Sequence, residues 1–298
     1  MASRRDCGPR GCRVRRSPVA RPGRAAPGYG HRGDRGPMTA TLRIARNAAL
    51  VGYLDVRAQY TWKSWLFGWI TRVTAQVLFF TAIGLLVGGH DLVLFAFVGN
   101  VTARAAQAPL GTGPDTAWER GLGTLPLLVA APRSMLPVFG GRSAFYIVQG
   151  LVEASLIFVI LAPFVGFSGQ WWWLPAGLAV VSLGAYGLGL FLAAIAIRRL
   201  RIGNILFNLV FYTLITIGGV NVATSVFPTW VQRTADLLPL YHGLLGLREL
   251  LATGPSSGAF GQLGLELLVG AAWFLIALVG FRLFAEGGRR DGTIDLEE

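Results

Sequence analysis

Six long apolar runs, at 66–88, 91–109, 143–167, 173–197, 204–227 and 264–285, limit what this chain can fold into. Each approaches the roughly 20 residues that a helix needs to cross about 30 Å of hydrocarbon. Soluble domains usually carry about 25% charged residues. Here 14% of residues are charged, 53% are hydrophobic and the mean hydropathy is +0.53. The expectation is therefore an all-α integral membrane protein with six transmembrane helices. The second run is the least apolar, because Asn100, Arg104 and Gln107 occupy its later half. It qualifies as a span if Arg104 lies at the cytoplasmic edge and snorkels.

Basic residues orient the spans, because Lys and Arg concentrate in cytoplasmic links. The links at 88–91 and 168–172 contain neither. Arg43, Arg46, Arg57 and Lys63 precede the first span, and Arg120, Arg133 and Arg142 follow the second, with Arg104 at its border. Arg198, Arg199 and Arg201 follow the fourth span, and Arg282, Arg289 and Arg290 close the sixth. Only Arg233 and Arg248 fall in the remaining link. The alternation predicts cytoplasmic termini, a cytoplasmic loop at 110–142, an outer link at 228–262 and a cytoplasmic tail at 286–298.

The formal net charge of +12 is not spread evenly. Residues 1–37 hold ten Arg against Asp6 and Asp34. That segment lacks the apolar centre of a secretory signal, and reads either as a disordered basic tail or as sequence upstream of a start at Met38. Nothing in this distribution suggests a nucleic-acid partner. Cys7 and Cys12 lie in the same segment with no His pair, which fits no standard zinc pattern. From 38 to 65 the apolar positions Leu42, Ala45, Ala49, Tyr53, Val56 and Tyr60 recur at helical spacing. Trp62 and Trp65 close this stretch, as amphipathic rings do at a headgroup boundary. It is either a basic juxtamembrane start or an amphipathic helix lying along the cytoplasmic interface.

The outer link, interrupted by Pro239 and Gly243, reads as one or two short helices at or dipping into the outer interface. Trp171, Trp172 and Trp173 fit an interfacial anchor on the same side. Within the spans, Tyr146, Gln149 and Glu153 share one helical face, and Asn204, Asn208, Tyr212 and Thr216 form a second polar stripe at i+4 steps. Both stripes fit a substrate-bearing path or hydrogen bonding between helices. Glu153, an acid deep in a span, is in the path or in a buried pair, since an unpaired charge there costs several kcal/mol. Ala185, Gly189 and Ala193 offer a small-residue packing face.

Catalytic patterns are missing. The sequence has no H-E-x-x-H, no G-x-S-x-G and no acidic cluster suited to a metal. Lys63 is the only lysine, so there is no G-x-x-x-x-G-K-[ST] loop to cradle a nucleotide. Energy from ATP has to reach such a chain through another subunit. The stretch at 119–142, with a Gly-x-Gly-Thr turn, a short apolar segment and an Ala-Pro stop between basic residues, is the segment suited to that contact.

Glu119, Arg120, Gly123, Thr124 and Leu125, followed by Ala131–Pro132 and Gly141–Arg142, resemble the pattern between the second and third spans of the ABC-2 family of transporter permeases. Leu238, Pro239, Arg248, Gly292 and Thr293 extend the resemblance, which covers about 38–296. It implies a six-helix permease of the bacterial plasma membrane, dimerising with itself or a paralogue around a central path. Two cytoplasmic ABC ATPase subunits would carry ATP and Mg, leaving no cofactor on this chain. Glu119, Arg120, Gly123, Thr124 and Leu125 would couple to them. The implied cargo is a hydrophobic drug, antibiotic or lipid-like molecule. A polysaccharide or glycolipid exporter, a proton-coupled carrier using Glu153, and a non-transporting scaffold are the alternatives.

Overall fold

Apolar runs that cannot satisfy their backbone in lipid except as helices produce helices throughout. A computed structural model describes residues 37–59, 61–114, 136–198 and 202–291. Among them there is no strand. The order is α1 (Pro37–Gln59), a π-helical stretch (Ser64–Ile70) leading into α2 (Thr71–Gly88), α3 (His90–Leu110), α4 (Leu136–Ser143) and α5 (Phe145–Val165). A 3-10 turn (Trp171–Trp173) then opens α6 (Leu174–Arg198), followed by α7 (Gly203–Ile217), α8 (Thr229–Asp236), α9 (Tyr241–Thr253) and α10 (Ser257–Asp291). The tail before Pro37, with Cys7 and Cys12, lies outside the described residues, as do Arg199, Arg201, Gly292 and Thr293.

Four of the helical stretches are long and apolar enough to cross a membrane: Ser64–Gly88, Pro137–Val165, Trp171–Ala196 and Ser257–Leu283. They are not equivalent. The apolar window of the third is 72% buried, against 22%, 33% and 28% for the others. The helix α6 is thus the inner post, packed against α3, α5, α9 and α10. The other three turn large apolar side chains outward, including Leu86, Phe164 and Leu268. Water tolerates no such continuous apolar exterior, whereas lipid does. The molecule is a multi-pass α-helical membrane protein.

Turns and close approaches set the packing. Gly89, at φ +84°, lets α2 fold back onto α3, a conformation that costs glycine no Cβ clash. Where α6 crosses α10, a Cβ on Gly187 would lie 2.3 Å from the Gly270 carbonyl oxygen. Only glycine permits that approach. The small-residue face of the fourth span packs closely too: Gly189 seats against Pro109 at the end of α3, and Ala185 and Ala193 are buried. Near the start of the chain α1 crosses α4, with Gly141 against the Ala45 carbonyl and Gly52 against that of Arg142.

Two boundaries and one side chain differ from the expectations. The fifth run is helical only to Ile217, because Gly218 and Gly219 (φ +79°) break the backbone there. The last helix starts at Ser257, which shortens the link that was expected to reach 262. Arg104 does not snorkel: it is 7% exposed and turns into the bundle. On its helix, α3, Asn100, Thr102 and Arg104 are all buried.

Candidate functional site: a buried charge cluster and a locked outer helix

Glu153 in the middle of α5 is fully buried. Burying a lone carboxylate in a bundle is costly, and the chain surrounds this one with donors from three helices. From α3, Arg104 gives Nη2 and Nε to the same oxygen, Oε2, at 2.7 and 3.1 Å. Trp69, in the π-helical stretch before α2, donates Nε1 to Oε1 at 2.9 Å. Gln149, one turn earlier on α5, donates its amide to Oε1 at 2.7 Å. Arg104 reaches Gln107 with Nη1, and its guanidinium lies 5.2 Å from the Trp69 ring centre. Arg72 stacks on the same ring at the same distance.

The result is one ion pair with both carboxylate oxygens engaged, joining the start of the first span to α3 and α5. Among the sequence-derived candidates it brings Gln149 and Glu153 together, and Tyr146 packs beside Phe145. Trp69 and Arg104 are the partners that composition and spacing did not identify. The only available signal was that an acid and an arginine stood alone in neighbouring spans.

A second polar assembly fixes α9 and the turn that precedes it. Between α8 and α9 the chain turns at Leu240, a buried non-glycine residue at φ +91°. Such a conformation costs about 1–3 kcal/mol and needs support. Glu266, fully buried on α10, supplies it by accepting from the Leu240 N–H (2.8 Å) and the Gly243 N–H (2.9 Å). This carboxylate caps the start of α9, where the helix dipole favours negative charge. At the other end of α9, Arg248 donates to the carbonyls of Gly219 (2.8 Å), Val220 (3.0 Å) and Phe95 (2.9 Å), and its guanidinium sits 3.4 Å from the Phe95 ring centre. Asn100 bonds Asn221 at 2.7 Å alongside. Burial draws the Arg248 pKa down to about 9, which still leaves it a cation at neutral pH. The link thus contains one exposed amphipathic helix, α8, and one buried helix, α9, whose Leu244, Leu247, Leu250 and Leu251 face the core.

The other expected stripe lies on the outward face of α7. Asn204, Asn208, Tyr212 and Thr216 are all exposed. The side chain of Asn208 bonds back to the Asn204 carbonyl and that of Thr216 to the Tyr212 carbonyl. Asn208, Tyr212 and Thr216 lie along a shallow groove of about 640 Å³ with Ile205, Leu209 and Thr213. Glu119, Arg120, Gly123, Thr124, Leu125, Ala131 and Pro132 lie outside the described residues. Of that segment's pattern, Gly141 and Arg142 are described, at the crossing of α1 and α4.

A family model described as ABC-2 type transporter matches residues 54–252, from the end of α1 to the end of α9. That range contains the charge cluster, the outward stripe of α7 and all of 119–142. None of the curated proteins compared with the chain matches it.

Proposed function

The chain belongs to the ABC-2 type transporter family of membrane permeases, and from that premise we propose that it is the permease subunit of an ATP-driven exporter. Members of this family work with an ATPase partner. The match across 54–252 carries the reading, because it takes in the first five apolar runs, the segment at 119–142 and most of the link after α7. In this reading there are six crossings, α3 and α7 completing the four long apolar helices. Both ends of the chain face the cytoplasm of a bacterial cell, and α1 lies along the inner interface.

Coupling runs through 110–142. Glu119 and Arg120 offer charged contacts to an ABC ATPase, while Gly123, Thr124 and Leu125 shape the turn that presents them. Movement imposed there reaches the spans through α4, which follows in sequence and is held against α1 by the close contacts at Gly141 and Gly52. ATP and Mg belong to the partner. A second copy or a paralogue covers the outward face of α7, whose mixed polar and apolar surface suits a shared path better than lipid. The cargo is a hydrophobic drug, antibiotic or lipid-like molecule; a polysaccharide or glycolipid is the second choice within the same architecture. The saturated hydrogen bonding of Glu153 favours this reading over a proton-coupled carrier, since four donor groups already occupy the carboxylate.

Co-expression with candidate ABC ATPases from the same genome tests the proposal. The double variant Glu119→Ala with Arg120→Ala is expected to insert normally but to lose the co-purifying ATPase or its transport. Normal assembly and transport by that variant would remove the coupling role.

A further inference from the structure

A cleft of about 560 Å³ opens between α1, the turn after it and α5, apart from both polar assemblies except for the shared side chain of Gln149. Its size falls within the roughly 300–1,000 Å³ of small-molecule sites. The walls are mainly apolar and aromatic, with Trp62, Trp65, Phe145 and Val148 contributing. Trp62 is 66% exposed and Val148 is 53% exposed. Tryptophans of this kind sit at headgroup level, so the cleft runs from an interfacial rim into an apolar interior.

Its polar groups have a definite character. Arg57 lines the cleft and makes no hydrogen bond or ion pair among the described residues. Lys63 stands beside the rim, 5.6 Å from the Trp62 ring centre. No carboxylate is among the described residues that line the cleft. Gln149 orients its amide N–H toward Glu153, which leaves its Oε1 buried without a partner. Flipping the amide would set that oxygen against the carboxylate, so the orientation is fixed by charge. The site therefore offers an apolar slot, cations and an acceptor that lacks a donor.

We propose that this cleft binds an anionic, hydroxyl-bearing phospholipid of the phosphatidylglycerol type, with an acyl chain along Phe145 and Val148 and the phosphate at Arg57. The headgroup hydroxyls supply the donor type that Gln149 lacks. A choline head carries neither a net negative charge nor a donor. Such a lipid would wedge α1 against α5 and tie the position of α1 to the composition of the leaflet around it.

The test uses the full chain in vesicles of equal parts phosphatidylcholine and phosphatidylglycerol, without ATP, ATPase or cargo, so its failure leaves the transport reading untouched. Val148 is replaced by p-benzoylphenylalanine, and the lipids cross-linked on illumination are identified by mass spectrometry. Phosphatidylglycerol adducts should exceed phosphatidylcholine adducts about fivefold, the ratio that corresponds to the ~1 kcal/mol of one basic residue against anionic lipid. Arg57→Gln should return the ratio to that of the bulk. The same probe at Phe164, on the outward face of α5, should report the bulk ratio throughout. A bulk ratio at Val148, or an excess that survives Arg57→Gln, overturns the assignment. Cross-linking to a second copy of the chain in place of lipid also overturns it.

Discussion

Replacing Glu153 with alanine removes the one acceptor on which Arg104, Trp69 and Gln149 converge. The loss can be sized from what stays behind. Arg104 remains 7% exposed and keeps only Gln107 and the face of Trp69, so a buried charge loses its counter-ion. Breaking a buried pair from one side costs about 3–5 kcal/mol. The stranded Trp69 and Gln149 donors lie within that figure more than on top of it, because neighbours of one network do not add. Removing both charges with Arg104→Met and Glu153→Leu leaves only those two part-buried neutral donors, so at about 0.5–1.5 kcal/mol each the double variant should lose only about 1–3 kcal/mol. Thermal unfolding of the detergent-solubilised protein reads the difference. At roughly 2–4 °C for each kcal/mol in a domain of comparable size, Glu153→Ala should melt about 6–20 °C below the parent, and the double variant well above the single. If the two single losses simply add in the double variant, the cluster is not an ion-paired pin and the reasoning fails.

Four further outcomes follow from α9 and the helix packing. Glu266→Ala orphans the Leu240 and Gly243 amides and should cost about 1–3 kcal/mol, seen as faster hydrogen exchange confined first to α9; unchanged protection there would exclude the capping role. Arg248→Lys should be nearly as destabilising as Arg248→Met, because one ammonium cannot serve three carbonyls and stack on Phe95. Since burial lowers the Arg248 pKa to about 9, its desolvation cost is constant below that value and is relieved only as pH rises beyond it; the melting difference between parent and Arg248→Met should therefore be flat from pH 6 to about 8. Gly270→Leu must displace α10 from α6, where glycine backbones touch, and should cost about 1–3 kcal/mol in melting experiments.

Much of the fold could be read from hydropathy, because lipid leaves few alternatives to a helix. Runs of 20 or more apolar residues located the long spans, and the Pro239–Gly243 region marked the broken outer link. Averages over a window failed where single residues decided. Arg104 in a weak span looks the same whether it snorkels or turns inward; only its pairing with Glu153 on another helix separates the two, and pairing is not a property of either segment. The fifth helix was read through Gly218–Gly219 because the residues beyond remain apolar, although paired glycines are a helix-stop signal. Glu266 was overlooked because it sits near the start of the expected sixth span, where an acid can pass for a boundary residue. Once α10 begins at Ser257, it lies inside the helix and beneath α9. Of the two polar stripes, the i+4 spacing of Gln149 and Glu153 became a hydrogen bond, whereas that of Asn204, Asn208, Tyr212 and Thr216 left them on an outward face.

On the proposed function, this chain moves its cargo only when a separate ATPase drives it. Reconstitution in sealed vesicles, with a fluorescent hydrophobic drug as cargo, measures this directly. Transport should require a partner ABC ATPase together with ATP and Mg, and should persist when an ionophore collapses the proton gradient. Transport by the chain alone that stops with the proton gradient would contradict the account and return Glu153 to the role of a proton carrier.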